Sequence, residues 1–161
     1  MSDTSLTEIA AELYSAAPEE FVAARNARAA DAADREDAAR IRALKKPSVA
    51  AWVVNVFAHE RADRLGQALQ LAAELREAQD QLDAATLAEL GRRRRALTSQ
   101  LAHEAGELAS ARGGRVSPST LEAVRQTIAA AFFDPDAAVA VASGRLVREL
   151  EASGDPVDLD V

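Results

Sequence analysis

The sequence predicts an all-α fold: an elongated bundle of about six to seven helices, two of them forming an antiparallel, coiled-coil-like hairpin over roughly 64–111. Three observations lead there. Alanine supplies 39 of the 161 residues; it is the best helix former and buries little surface, so it favours helices packed at close range over a thick core. Aromatic residues make up only 4% of the chain and no segment alternates apolar with polar, so nothing reads as a strand. Ser, Asp and Pro recur just ahead of apolar stripes, where helices begin.

The first helix is expected over Leu6–Tyr14, with Ser5 as N-cap and Glu8 completing a capping box, and with Leu6, Ile9 and Leu13 on one face. Pro18 at a first helical position, followed by Glu19 and Glu20, starts a second helix. Nothing up to Leu44 is Gly or Pro, so this helix is expected to continue to Leu44, closing on Lys45 and Lys46 ahead of Pro47. The third starts at Pro47–Ser48 and carries Val49, Trp52, Val53, Val56 and Phe57; it is the most hydrophobic and the candidate centre of the fold. A bend near His59–Asp63 leads to a fourth, running to about Leu82 with Leu65, Ala68, Leu69, Ala72, Leu75 and Leu82 on one stripe. Asp83 caps a fifth over Thr86–Ala111, whose Leu87, Leu90, Leu97, Leu101 and Leu108 face the fourth across the hairpin. Gly113–Gly114 stops it. Ser117–Pro118 and Asp134–Pro135 open two more helices, the last ended by Gly144, with one further turn expected over Leu146–Leu150.

Residues 1–150 read as one domain from which the hairpin 64–111 is free to project, followed by a flexible acidic tail over 151–161. With no cysteine there is no disulfide, thiolate metal site or thiol nucleophile. The acidic N-terminus lacks the basic and apolar regions of a signal peptide, and no apolar run approaches the roughly 20 residues that cross a bilayer, so a cytoplasmic location is expected. The net charge of −7 is unevenly spread. Residues 25–46 hold seven basic against four acidic side chains and 92–115 hold six against two, while the segments around them are acidic. That argues against a general nucleic-acid coat and leaves two local basic segments for an anionic contact.

Leu13–Ala29 (LYSAAPEEFVAARNARA), Ala43–Asn55 (ALKKPSVAAWVVN), Ser117–Ala138 (SPSTLEAVRQTIAAAFFDPDAA) and Gly144–Leu150 (GRLVREL) together resemble a family of small, all-helical, uncharacterised actinobacterial proteins. The likeness spans nearly the whole chain, and its most distinctive part is the Lys-Pro-Ser, Ala-Trp and Asn pattern of Lys46–Asn55. It implies a helical bacterial cytoplasmic protein and no activity, cofactor or catalytic residue.

Metal and nucleophile chemistry find little support. His59 and His103 are each followed by Glu, but neither has the second histidine of a zincin helix nor stands three residues after a glutamate as in di-iron bundles. There is no GxSxG and no Gly-rich phosphate loop; Gly113–Gly114–Arg115 before Ser117 is most simply a helix-connecting turn. No cofactor is expected.

Two basic clusters and one aromatic remain. On a continuous helix Arg25, Arg28, Arg35, Arg42 and Lys46 fall within about 100° of one another over an alanine floor, a face able to receive an acidic partner helix or track a phosphate backbone. The plainer reading is a solvated face paired with local carboxylates. Arg92, Arg93, Arg94 and Arg95 point around their helix; Arg93 and Arg94 lie between Leu90 and Leu97 and must snorkel or meet a carboxylate, for which Glu74 and Glu77 are in register. No aromatic interleaves either cluster, which weakens a single-strand stacking site. Trp52, Asn55 and His59 share a stripe that reads as a core tryptophan with an asparagine bridging helices, or else as a small pocket. The expected function is therefore non-catalytic: a helical interaction or adaptor protein binding another protein through the first basic face. An RNA- or DNA-associated regulator using both clusters is the alternative, and self-association is compatible with the Ala/Leu stripes.

Overall fold

The computed structural model describes residues 2–81 and 83–151. Among them all regular structure is helical, in the order α1 (Asp3–Tyr14), α2 (Pro18–Ala30), α3 (Arg35–Arg42), α4 (Val49–Glu60), α5 (Ala62–Asp80), α6 (Ala84–Ala111), α7 (Pro118–Phe133) and α8 (Pro135–Ser143). No helix of the described residues is long and apolar enough to cross a membrane. Leu82 and the expected acidic tail from 152 onward lie outside the described residues.

α1 begins earlier than its Ser5–Glu8 spacing suggests. The Ser2 hydroxyl accepts the Ser5 amide at 3.1 Å, so Ser5 sits inside the first turn and is not the cap. α2 opens on Pro18 as expected, but the single helix expected from 18 to 44 is two helices. Asp31 closes α2, and Asp34, in extended backbone, caps α3 by accepting the Asp37 amide at 2.9 Å. Burial explains the break. Leu6, Ala10, Leu13 and Tyr14 of α1 share a small core with Phe21 and Ala29 of α2 and with Ile41 and Leu44 at the end of α3. A helix running unbroken from 18 to 44 would be about 40 Å long at 1.5 Å per residue and would carry Ile41 and Leu44 away from that core. Folded back, α3 packs against α2, and Arg25 Nη1 donates to the Leu44 carbonyl at 3.1 Å.

α4 is the centre of the larger core. Ser48 caps it, accepting the Ala51 amide, and every residue from Ala50 to Ala58 is buried. Arg61 interrupts the helix, and α5 and α6 follow as an antiparallel pair turned at Asp83, whose carboxylate accepts both the Thr86 amide and the Thr86 hydroxyl. Arg64 spans the pair with two hydrogen bonds to Glu104, at 3.2 and 2.7 Å. Leu65, Leu71 and Ala72 of α5 and Leu101, Ala105 and Ala109 of α6 join Trp52, Val53 and Phe57 in one cluster with Val124, Ile128 and Phe132 of α7. The α6–α7 connection passes under the indole: a Cβ at Gly114 would overlap the Trp52 ring. α7 and α8 are capped by Ser117 and Asp134, and α8 ends on Gly144 in the left-handed region at φ 67°.

After Gly144 the chain is a strap and not the helical turn expected over Leu146–Leu150. Its backbone groups are taken by other elements. Asn55 accepts from the Leu146 amide at 2.8 Å and donates to the Leu146 carbonyl at 2.9 Å. The Ser48 amide donates to the Val147 carbonyl, and the Thr127 hydroxyl accepts the Leu150 amide at 2.9 Å. Leu146 enters the larger core and Val147 the smaller one, so the strap joins the two.

Candidate binding face on α6 and α7

The structure separates the residues of the expected helix-2 face. Arg25 and Arg28 stand on α2, Arg35 and Arg42 on α3, and Lys46 in the connection to α4, so the continuous stripe does not exist. Its physical cause is the Asp31–Asp34 break. Arg25 is half-buried, over the Phe21 ring at 5.8 Å and bonded to Leu44, which is structural use. Arg28 lines a shallow groove of about 250 Å³ with Ser5, Ile9, Asp31, Asp37 and Ile41, where carboxylates already share its field. Arg35, Arg42 and Lys46 are exposed.

The second cluster is organised differently from expectation. On α6, Arg94 shares the inward side with Leu90, Thr98 and Leu101, whereas Arg92, Arg93 and Arg95 are exposed. Among the described residues Arg94 meets no carboxylate: its guanidinium carbon sits 4.7 Å from the centroid of Phe133, at the end of the neighbouring α7. Burial pushes the Arg94 pKa down, with the adjacent Arg95 charge adding to the effect. Arginine starts so high that it stays cationic at neutral pH, and the contact is a cation–π pair of about 0.5–1 kcal/mol. Among the described residues no ion pair joins Glu74 or Glu77 to the cluster, and Arg92, Arg93 and Arg95 have no carboxylate partner. The expected pairing is therefore corrected. The hairpin's cross-helix bond is made at Arg64–Glu104 instead.

Phe133 is 57% exposed and Val139, on the next helix, 62% exposed, the most exposed large apolar side chains described. Sequence reasoning passed over both. The signal was present in the Phe132–Phe133 pair: neighbours on a helix point about 100° apart, so a narrow buried stripe holds one and releases the other. Phe132 is the one buried. Along the same α6–α7 seam lies a second shallow groove of about 230 Å³, lined by Ser99, Ala102, His103, Leu121, Glu122 and Arg125. There Arg125 grips Glu122 with two hydrogen bonds and Gln126 adds a third, which holds the Glu122 carboxyl down at about 2.

Trp52 and Asn55 are sealed in the core, at 1% and 0% exposure. The indole N–H donates to the Ser15 carbonyl at 3.2 Å, and the Asn55 amide serves Leu146 and, at 3.5 Å, the Tyr14 carbonyl. The three stripe residues do not meet as a pocket: His59 is exposed at the end of α4, its ring packed against Gly144. Among the described residues no three His, Asp or Glu side chains converge as a metal site requires.

The chain matches no family model, no curated protein and no solved structure.

Proposed function

We propose that this is a non-catalytic helical interaction protein of the cytoplasm, binding another protein through the basic seam of α6 and α7. The observation that carries the reading is the junction of three arginines that find no carboxylate partner among the described residues, Arg92, Arg93 and Arg95, with an exposed Phe133 steadied under Arg94. Arginine and aromatic side chains dominate interface hot spots, because each offers a large contact and a directional polar or π component. The surrounding protein is acidic, so the cluster stands out as a local positive field that orients an acidic partner. Arg28, Arg35, Arg42 and Lys46 provide at most a secondary contact, since they stand on separate segments.

One observation favours a second reading, RNA or DNA association. Phe133 supplies the aromatic that the arginine clusters lack in sequence, and arginines beside an exposed ring can stack a base. The test is capture from native lysate with the wild type, an Arg92/Arg93/Arg95→Glu variant and an Arg28/Arg35/Arg42→Glu variant, with and without nuclease. A discrete protein that survives nuclease, is lost by the first variant and is retained by the second supports the protein reading. Recovery that vanishes with nuclease, together with roughly a fiftyfold loss of affinity for a single-stranded RNA probe between 50 and 200 mM salt for about four phosphate contacts, supports the second. Equal recovery by all three proteins overturns the α6–α7 assignment.

A further inference from the structure

We infer that α1, α2 and α3 form a detachable unit: the three helices leave the α4–α8 bundle and unfold together, uncovering the Trp52 indole, while the bundle keeps its fold. The division shows in the two cores. Among the described residues the smaller core is built from residues up to Leu44, and Val147 of the strap is its one buried member from further along the chain. The buried members of the larger core all lie at or beyond Ala50. Among the described residues α2 and α3 pack on each other and on α1. Of the three, only α1 makes a substantial packing on the larger bundle, against α4. The connection over 44–48 holds no regular structure.

Across the seam the Trp52 indole N–H donates to the Ser15 carbonyl at 3.2 Å, and Asn55 reaches the Tyr14 carbonyl only at 3.5 Å. The shorter Asn55 bonds go to Leu146, within the larger unit, where Thr127 also holds Leu150. The strap therefore stays with the bundle when α1–α3 depart, and what it gives up is the burial of Val147. The three helices go together because each is buried by the others: Leu6, Leu13 and Tyr14 of α1 meet Phe21 of α2 and Ile41 of α3. Once detached they unfold, since about 40 residues is the lower limit for a chain to hold a core alone. Native proteins open in such contiguous cooperative units at free energies below that of global unfolding. Departure of Ser15 leaves the Trp52 N–H without its acceptor, while the ring keeps its packing on Gly114. A sealed tryptophan becomes a solvent-facing one without loss of the larger fold.

Hydrogen exchange on the full chain tests this, read residue by residue by NMR under conditions where exchange reports equilibrium opening. The amides within α1, α2 and α3 should share one protection factor, at least about tenfold below that of Val53, Leu101 and Ile128. The Trp52 indole proton should exchange with the α1–α3 group, whereas the amide of its neighbour Val53 stays with the larger core. Val147→Ala removes the valine methyls from the smaller core and should lower the α1–α3 protection about tenfold. The larger core should fall by the same factor, because both openings start from the same native state. Ile128→Val removes a buried methylene from the larger core alone; it should lower protection there about fourfold and leave the α1–α3 group unchanged. A single protection level throughout the chain, or separate levels for α1, α2 and α3, would overturn the inference. So would acceleration of α1–α3 by Ile128→Val, α1–α3 protection untouched by Val147→Ala, or an indole proton that stays with the larger core.

Discussion

Replacing Asn55 by Leu should be among the most damaging single changes that leave side-chain volume nearly intact. Asn55 is fully buried and serves both backbone groups of Leu146, with a longer contact to the Tyr14 carbonyl. Leucine fills a similar space, so little cavity forms. It leaves the Leu146 amide and carbonyl buried with no partner, because Leu146 is itself only 2% exposed. Each orphaned buried group costs about 1–3 kcal/mol, so the expected loss from the two is about 2–6 kcal/mol. That is a large share of the roughly 5–15 kcal/mol by which a domain is typically stable. Urea unfolding followed by the single, buried Trp52 measures it, with an unchanged m-value showing that the unfolded reference has not shifted. Amide exchange at Leu146 should accelerate in parallel. A loss below about 1 kcal/mol, the net worth of one ordinary hydrogen bond, would refute the reasoning that Asn55 holds the strap by satisfying buried backbone.

Gly114→Ala should destabilise by about 1–3 kcal/mol, since the new methyl must displace the Trp52 ring in a filled core, and the same Trp52-monitored urea titration reads it. Gly144→Ala combines a positive φ with contact on the His59 ring and should cost about 1–2 kcal/mol from backbone strain alone, measured by thermal unfolding. Asp34→Ala removes the cap that starts α3 and should cost about 1 kcal/mol, visible as faster exchange at the Asp37 amide. In a carbon-detected pH titration the Glu122 carboxyl should titrate at about 2, and Arg125→Ala should move it up toward 4.5. The Arg64 hydrogen bonds also hold the Glu104 carboxyl below its usual range. Both shifts are downward, so their stabilising contributions are complete above the ordinary carboxylate range and disappear as pH falls through the depressed values. Arg64→Ala should flatten that acid dependence and cost under about 1 kcal/mol at neutral pH, because the pair is partly solvated.

Much of α4 to α8 was legible because its boundaries are made by local chemistry. Asp83, Ser117 and Asp134 act as N-caps through bonds to residues two or three positions on, and Gly144 ends α8 with the positive φ its lack of a Cβ permits. The core role of α4 followed from its unbroken apolar run, and Trp52 and Asn55 behave as a buried indole and a bridging amide. What was not legible depends on long-range contacts. The break at Asp31–Asp34 was not anticipated, because only the meeting of Ile41 and Leu44 with Phe21 and α1 makes breaking the helix favourable. The strap reads locally as helix; Asn55, Ser48 and Thr127 claim its backbone from far along the chain. The candidate face on α6 and α7 was half legible. Four consecutive arginines are evident in any reading, whereas Phe133 reaches Arg94 only because α7 returns along α6.

The central claim, that the α6–α7 seam is the partner-binding surface, is tested most directly by site-specific photocrosslinking in the native host. A benzophenone amino acid at position 133, close in shape to the phenylalanine it replaces, is compared with the same group at Val22 on α2 and at Arg35 on α3, both exposed. The account predicts a discrete protein adduct at 133, lost when Arg92, Arg93 and Arg95 are changed to Glu, and no matching adduct at 22 or 35. The same adduct at 22 or 35 with none at 133 would contradict it.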